Sequence, residues 1–216
     1  MLTLKAAPNG VAFFVYCTLK RNAMKRFIGS SLLKLSGWKV TGRYPKEIKK
    51  FIILVAPHTS NWDFPKGIIY NWSEGLDIKF IAKHTLFKPG IGWFFKYLGG
   101  YPVDRTKRTN FAQSVVDIFN SKDEFVITLA AEGKRARVKR FKSGIYFIAR
   151  NANVPIIPTK FNYATKEMHF GEPFYTTDNK EKDLNYLWDY FVGVQGKIPK
   201  NGIFPREEET STKPAS

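Results

Sequence analysis

Residues 51–56 form one unbroken apolar run, Phe51-Ile52-Ile53-Leu54-Val55-Ala56, closed by Pro57 and followed at once by His58. A run without polar alternation leaves no face for water. It reads as a strand buried on both sides, the kind found inside an α/β sheet with helices on either face.

The remaining pattern supplies those helices. Residues 65–72 read as a helix and residues 79–82 as a second short strand. Pro89 can open a helix that Gly99-Gly100 closes after Leu98, and residues 101–104 form a brief extended piece. Phe111, Val115, Ile118 and Phe119 mark an amphipathic helix ending near Ser121. Residues 125–130 are another buried strand, followed by a polar turn at Glu132-Gly133. Residues 144–151 are helical, with Ile145, Ile148 and Ala149 on one side. Two prolines bend residues 154–161 or place that strand at an edge. Residues 168–174 look extended, and Asp178 with Glu181 fits a capping pair for a helix carrying Leu184, Leu187, Trp188 and Phe191. The alternation predicts a single-domain α/β sandwich: a mostly parallel mixed sheet flanked by helices. In such folds sites collect beyond the carboxyl ends of strands.

The 216 residues suffice for one sizeable domain. Residues 1–37 read as an N-terminal membrane-leaning helical segment, 38–205 as the main domain, and 206–216 as a disordered polar tail. Residues 11–19 are the longest apolar stretch near the start, about half of the ~20 needed to cross a bilayer. Only Lys5 precedes that stretch and no small-residue cleavage site follows, so an uncleaved segment is favoured, although Met24-Lys25-Arg26 also resembles a natural beginning. From there Phe27, Ile28, Leu32 and Leu35 recur at helical spacing, and Gly37 reads as the stop. Such a helix suits packing on a core and suits lying in a membrane interface.

Lysine and arginine number 35 against 18 acidic residues, a formal charge of +17. That excess draws polyanions: an anionic membrane, nucleic acid or an acidic carrier protein. Aromatic residues at 16% suit a membrane surface and also RNA, so composition leaves both open. The single cysteine, Cys17, forms no internal disulfide and no zinc site alone; it points to a reducing compartment and to a buried or lipid-facing role.

The chemistry starts at Ala56-Pro57-His58-Thr59-Ser60-Asn61-Trp62-Asp63. A hydroxyl attacking a thioester must lose a proton, which a neutral imidazole accepts near neutral pH. A carboxylate on the other ring nitrogen sets the tautomer and stabilises the imidazolium, as in serine hydrolases. The incoming hydroxyl would replace the enzyme serine. The spacing alone is a weak signal, and its bland counterpart is a surface loop in which Asp63 caps the next helix. Ser60 lacks a nucleophile elbow. His84 follows a strand and reads as structural or near the site rim, and His169 sits in an extended segment without an evident partner.

At these residues the chain resembles the glycerolipid acyltransferase family, the PlsC-like or 1-acylglycerol-3-phosphate acyltransferase superfamily, over roughly residues 38–163. Its first block, His-x4-Asp, is matched by His58 and Asp63; its second by Gly99-Gly100-Tyr101-Pro102-Val103-Asp104-Arg105. The third, Glu-Gly-Thr-Arg-Ser, is matched in part by Glu132-Gly133-Lys134-Arg135-Ala136, and the fourth by Val154-Pro155-Ile156-Ile157-Pro158. The resemblance implies an acyltransferase domain with His58 as general base and Asp63 as its orienting partner. It implies that Arg105 and Arg135, with Glu132 and Gly133, bind the acceptor's head group. Arginine's planar fork suits phosphate or carboxylate, Gly133 would admit a close anion, and Glu132 would hold Arg135 in place. Lys134 and Ala136 depart from the family's hydroxyl residues, and Ala131 stands where proline is frequent.

The implied reaction moves a fatty acyl group from acyl-CoA or acyl carrier protein to the hydroxyl of a lysophospholipid such as 1-acylglycerol-3-phosphate. An amino-acid-headed lysolipid is the alternative acceptor. A non-catalytic basic module binding RNA or membrane is the third reading, and it leaves the His–Asp pair unexplained. Phe94, Phe95, Tyr97 and Leu98 are candidates for an acyl groove, with core packing the more common fate. No metal cluster or nucleotide-binding glycine motif is visible, so neither a metal nor a bound cofactor is expected. The expected place is the cytoplasmic face of a membrane, peripheral or monotopic, with no nucleic acid partner.

Overall fold

A computed structural model describes residues 9–103 and 108–206, with side chains from Asn22 onward except Lys83 and residues 108–110. The apolar run is strand β2 (Lys50–Ala56), and from Phe51 to Ala56 it is buried throughout. It lies inside a seven-stranded sheet with β1 (Lys39–Gly42), β3 (Ile78–Lys83), β4 (Gly100–Val103), β5 (Phe125–Leu129), β6 (Ile156–Asn162) and β7 (Glu167–Phe170). The order is β1-β7-β6-β2-β5-β3-β4, and every neighbouring pair is parallel except β6 with β7.

Alternate residues of β2 serve two cores. Ile52, Leu54 and Ala56 pack with helices α4 (Arg108–Asn120), α5 (Gly144–Ala152) and α6 (Lys180–Phe191) through Val115, Phe119, Ile148 and Phe191. Phe51, Ile53 and Val55 face Trp38, Tyr70 and Phe161, beneath α1 (Asn9–Ser36) and α2 (Asp63–Glu74). Burial of one such side chain contributes about 1.5–3 kcal/mol, which is why a strand with no polar position must be central.

Helix α1 ends at Gly37, whose φ is +67°. It crosses α2 at close quarters: a Cβ on Gly29 would lie 2.4 Å from the Ser73 nitrogen, so only glycine admits that approach. The same helix leaves Phe27 and Leu35 at 75% and 84% exposure. Packing on the core and an apolar flank turned to solvent therefore coexist. The side chains of residues 11–19, that of Cys17 among them, lie outside the described ones, as does the tail from residue 207.

Three local expectations are corrected. Strand β6 is internal rather than at an edge. The Pro158 carbonyl accepts from Gly171 N, so its missing N–H also faces β7, where pairing is already interrupted between the Ile156–Phe174 bridge and Thr159–Phe170; the ladder to β2 loses nothing. Pro89 does not open a helix: α3 (Gly92–Tyr97) starts later, after a 3-10 turn at His84–Phe87. Asn179, not Asp178, caps α6 by accepting from Lys182 N at 3.0 Å, while Asp178 pairs with Arg150.

No helix among the described residues is long and apolar enough to cross a membrane.

Candidate active site

The β2 strand delivers His58 at its carboxyl end, and the loop turns directly into α2. Trp62 is the N-cap of α2 and makes no side-chain cap bond. Asp63 does not cap the helix either; its carboxylate turns back into the loop, at the positive end of the helix dipole. Its Oδ2 lies 2.9 Å from His58 Nδ1 and accepts from Ser60 N at 3.1 Å. Its Oδ1 accepts from the Tyr163 hydroxyl at 2.7 Å. The Asp63 side chain is 2% exposed and that of His58 22%. A buried carboxylate is tolerable because both oxygens are hydrogen-bonded.

These bonds assign the tautomer. An ionised carboxylate only accepts, so the proton between the pair belongs to Nδ1 and leaves the lone pair of Nε2 available. Burial, with the bond to Asp63 and that carboxylate's charge behind it, holds the Tyr163 phenol far above its ordinary value, so it stays a donor.

Glu132 lies just beyond β5, the strand beside β2. It is 5% exposed, and its Oε1 accepts from the backbone N–H of His58 at 2.7 Å. Its Oε2 is buried without a hydrogen-bond partner. Burial raises its pKa despite the lowering by the His58 N–H. No ion pair joins Glu132 to Arg135 among the described residues, so it holds the base's main chain rather than the arginine. Gly133 has φ +71°, which glycine adopts freely, but Lys142 crosses it: an added Cβ would meet Lys142 Cε at 2.4 Å. The flexible, cationic end of Lys142 thus lies over Gly133. Arg135 is exposed, and its carbonyl accepts from Asn201 Nδ2 at 2.8 Å.

An open cleft of about 1980 Å³ is lined by His58, Asp63, Glu132, Gly133 and Arg135 together. The imidazole and one predicted arginine therefore share one space. Arg105 lies outside the described residues. Phe94, Phe95, Tyr97 and Leu98 are not among the residues lining this cleft; Phe94 is exposed and Leu98 buried. The apolar wall comes instead from residues such as Phe64, Ile68, Phe80 and Ile81, with open space beside Gly67. His84 stands in the 3-10 turn, and His169 Nδ1 is 2.8 Å from Thr41 Oγ1, away from the dyad. The arrangement can take a proton at Nε2 beside a cleft lined by both apolar and cationic side chains.

The residue missed by sequence reasoning is Tyr163. It belongs to none of the four blocks, and its one sequence signal is its place just past a buried strand.

A sequence model of the acyltransferase family matches residues 37–162. The chain is 26% identical over 153 residues to a 1-acyl-sn-glycerol-3-phosphate acyltransferase of Streptococcus pneumoniae, covering 65% of this chain and 56% of that one. The Escherichia coli protein of that name is 29% identical over 134 residues, covering 59% and 54%. That of Saccharomyces cerevisiae is 31% identical over 123 residues, covering 51% and 38%. The chain thus spans about half the length of the curated relatives it matches. Among solved structures, the 1-acyl-sn-glycerophosphate acyltransferase PlsC of Thermotoga maritima superposes with a TM-score of 0.54 at 21% identity, covering 78% of this chain and 76% of that one. At that identity the likeness concerns the fold.

Proposed function

The chain belongs to the acyltransferase family, and we propose that it moves a fatty acyl group from acyl-CoA or acyl carrier protein to the hydroxyl of a lysophospholipid such as 1-acylglycerol-3-phosphate. The observation that carries this reading is the 2.9 Å contact between His58 Nδ1 and Asp63 Oδ2 at the mouth of a cleft with an apolar wall.

His58 Nε2 takes the hydroxyl proton as the oxygen attacks the thioester carbonyl. Asp63 stabilises the imidazolium that results. The carbon–sulfur bond then breaks, the ester remains on the acceptor, and the departing thiolate takes the proton from the His58 imidazolium, which restores the base. No acyl-enzyme is needed. Arg135, and Arg105 with it, bind the anionic head group. The +17 charge attracts both an acidic donor and an anionic bilayer, and the protein works peripherally at the cytoplasmic face of the membrane without a bound cofactor.

The test is acyl transfer by purified protein from acyl-CoA and from acyl carrier protein to a panel of lysolipids, including 1-acylglycerol-3-phosphate and an amino-acid-headed lysolipid. His58→Ala should lower kcat by about 10²–10⁴. A variant as active as the wild type would remove the proposed base, and preference for the amino-acid-headed acceptor would reassign the substrate.

A further inference from the structure

Three adjacent parallel strands end at the site, in the order β6-β2-β5. Each places one side chain just beyond its carboxyl end: Tyr163, His58 and Glu132. Glu132 and His58 stand in matched blocks; Tyr163 does not.

We propose that Tyr163 is a positioning residue for acyl transfer, its hydroxyl, 2.7 Å from Asp63 Oδ1, turning the carboxylate so that Oδ2 faces His58 Nδ1. This rests on the acyl-transfer reading. The terminal torsion of an aspartate is broad and nearly two-fold, so the chain geometry alone does not choose which way the carboxylate faces. Ser60 N and His58 Nδ1 both engage Oδ2. The phenol engages the other oxygen and thereby fixes the plane. Without it Oδ1 would remain buried and unpaired, and the carboxylate would gain by rotating toward any other donor.

Tyr163 is itself held. Its backbone N–H donates to Gln195 O at 2.8 Å, and its ring meets Trp38 edge-on at 4.9 Å and 84°. Trp38 is in turn 8% exposed, with Lys66 Nζ over its ring at 5.1 Å. A phenylalanine would pack against Trp38 equally well. The hydroxyl is the one part of the side chain whose only recorded contact is with the dyad, so Tyr163→Phe deletes the positioning contact and little else.

The experiment compares wild type, Tyr163→Phe and His58→Ala in acyl transfer from palmitoyl-CoA to 1-acylglycerol-3-phosphate, alongside the downfield NMR signal of the His58 Nδ1 proton. Tyr163→Phe should lower kcat about tenfold to a hundredfold, leave both KM values within about twofold, and shift or broaden the Nδ1 signal, with thermal unfolding close to wild type. A kcat within about twofold of wild type would overturn the proposal. So would a slower enzyme whose Nδ1 signal is unchanged, because the phenol would then act elsewhere. The NMR measurement needs no substrate: a wild type that fails to transfer acyl groups would count against the reaction, while the signal in Tyr163→Phe would still decide whether the phenol orients the pair.

Discussion

The backbone N–H of His58 donates to Glu132 Oε1 at 2.7 Å, tying the exit of β2 to the exit of β5. The bond means that the loop carrying the proposed base is held by its neighbour's loop, and that Glu132 acts on the base's main chain before any ligand arrives. Replacing it by alanine leaves a part-buried donor unpaired, at a cost of about 1–3 kcal/mol. Urea unfolding of Glu132→Ala measures this, and an unchanged midpoint and slope would refute it.

A pH dependence follows from the same carboxyl. Burial raises its pKa, so the native state holds this proton more tightly than the unfolded chain does. The associated stability is complete below the ordinary carboxylate value and is lost as pH rises through the raised one. Glu132→Gln keeps an acceptor for His58 N–H and cannot ionise. Its unfolding free energy relative to wild type should therefore climb as pH rises above the ordinary carboxylate range. Parallel curves would mean that the carboxyl ionises alike in both states.

Asp63→Asn tests the tautomer. Oδ2 accepts from both Ser60 N and His58, and Oδ1 accepts from Tyr163. An amide has one acceptor oxygen, so an NH2 must face either the phenol or the imidazole. Facing the imidazole, it would make Nδ1 the acceptor and place the proton on Nε2. We expect kcat to fall by about 10³–10⁴ with the fold intact; near-normal turnover would show that the carboxylate does not set the proton's position.

Arg135 is exposed and has no acidic partner among the described residues, yet it lines the cleft that contains His58. Arg135→Ala should raise the KM for a phosphate-headed acceptor about tenfold or more, the worth of one charged hydrogen bond, and leave the KM for the donor nearly unchanged. Equal rises for both substrates would place the guanidinium away from the head group.

Gly67 lies on the α2 wall of the cleft with nothing within 4 Å of where its Cβ would be. Gly67→Leu should fill that space, reducing kcat/KM for long acyl donors about tenfold relative to short ones. The change should stabilise α2 by about 1 kcal/mol through helix propensity, so lost activity with a raised Tm separates a blocked groove from a damaged fold. An unaltered chain-length profile would place the acyl chain elsewhere.

Much of the fold was legible locally. The run 51–56 required a central strand, and the spacing of Val115, Ile118 and Phe119 marked the helix that covers it. The errors fell where pairing or capping decides. Pro158 suggested an edge, but the sheet turns its missing donor toward a gap in the β7 ladder. Asp178 looked like the cap, but Arg150, from another helix, takes it and leaves the position to Asn179.

The site divides along the same line. His58 and Asp63 are five positions apart, so one loop brings them together and the chain alone announces the pair. Glu132 and Tyr163 reach them from 74 and 100 residues away. Their partners follow from the order β6-β2-β5, which is chosen by the packing of two cores and leaves no local periodicity to read. What a residue can donate or accept is written in its type; which buried atom receives it depends on which strands become neighbours, and that is a property of the folded chain.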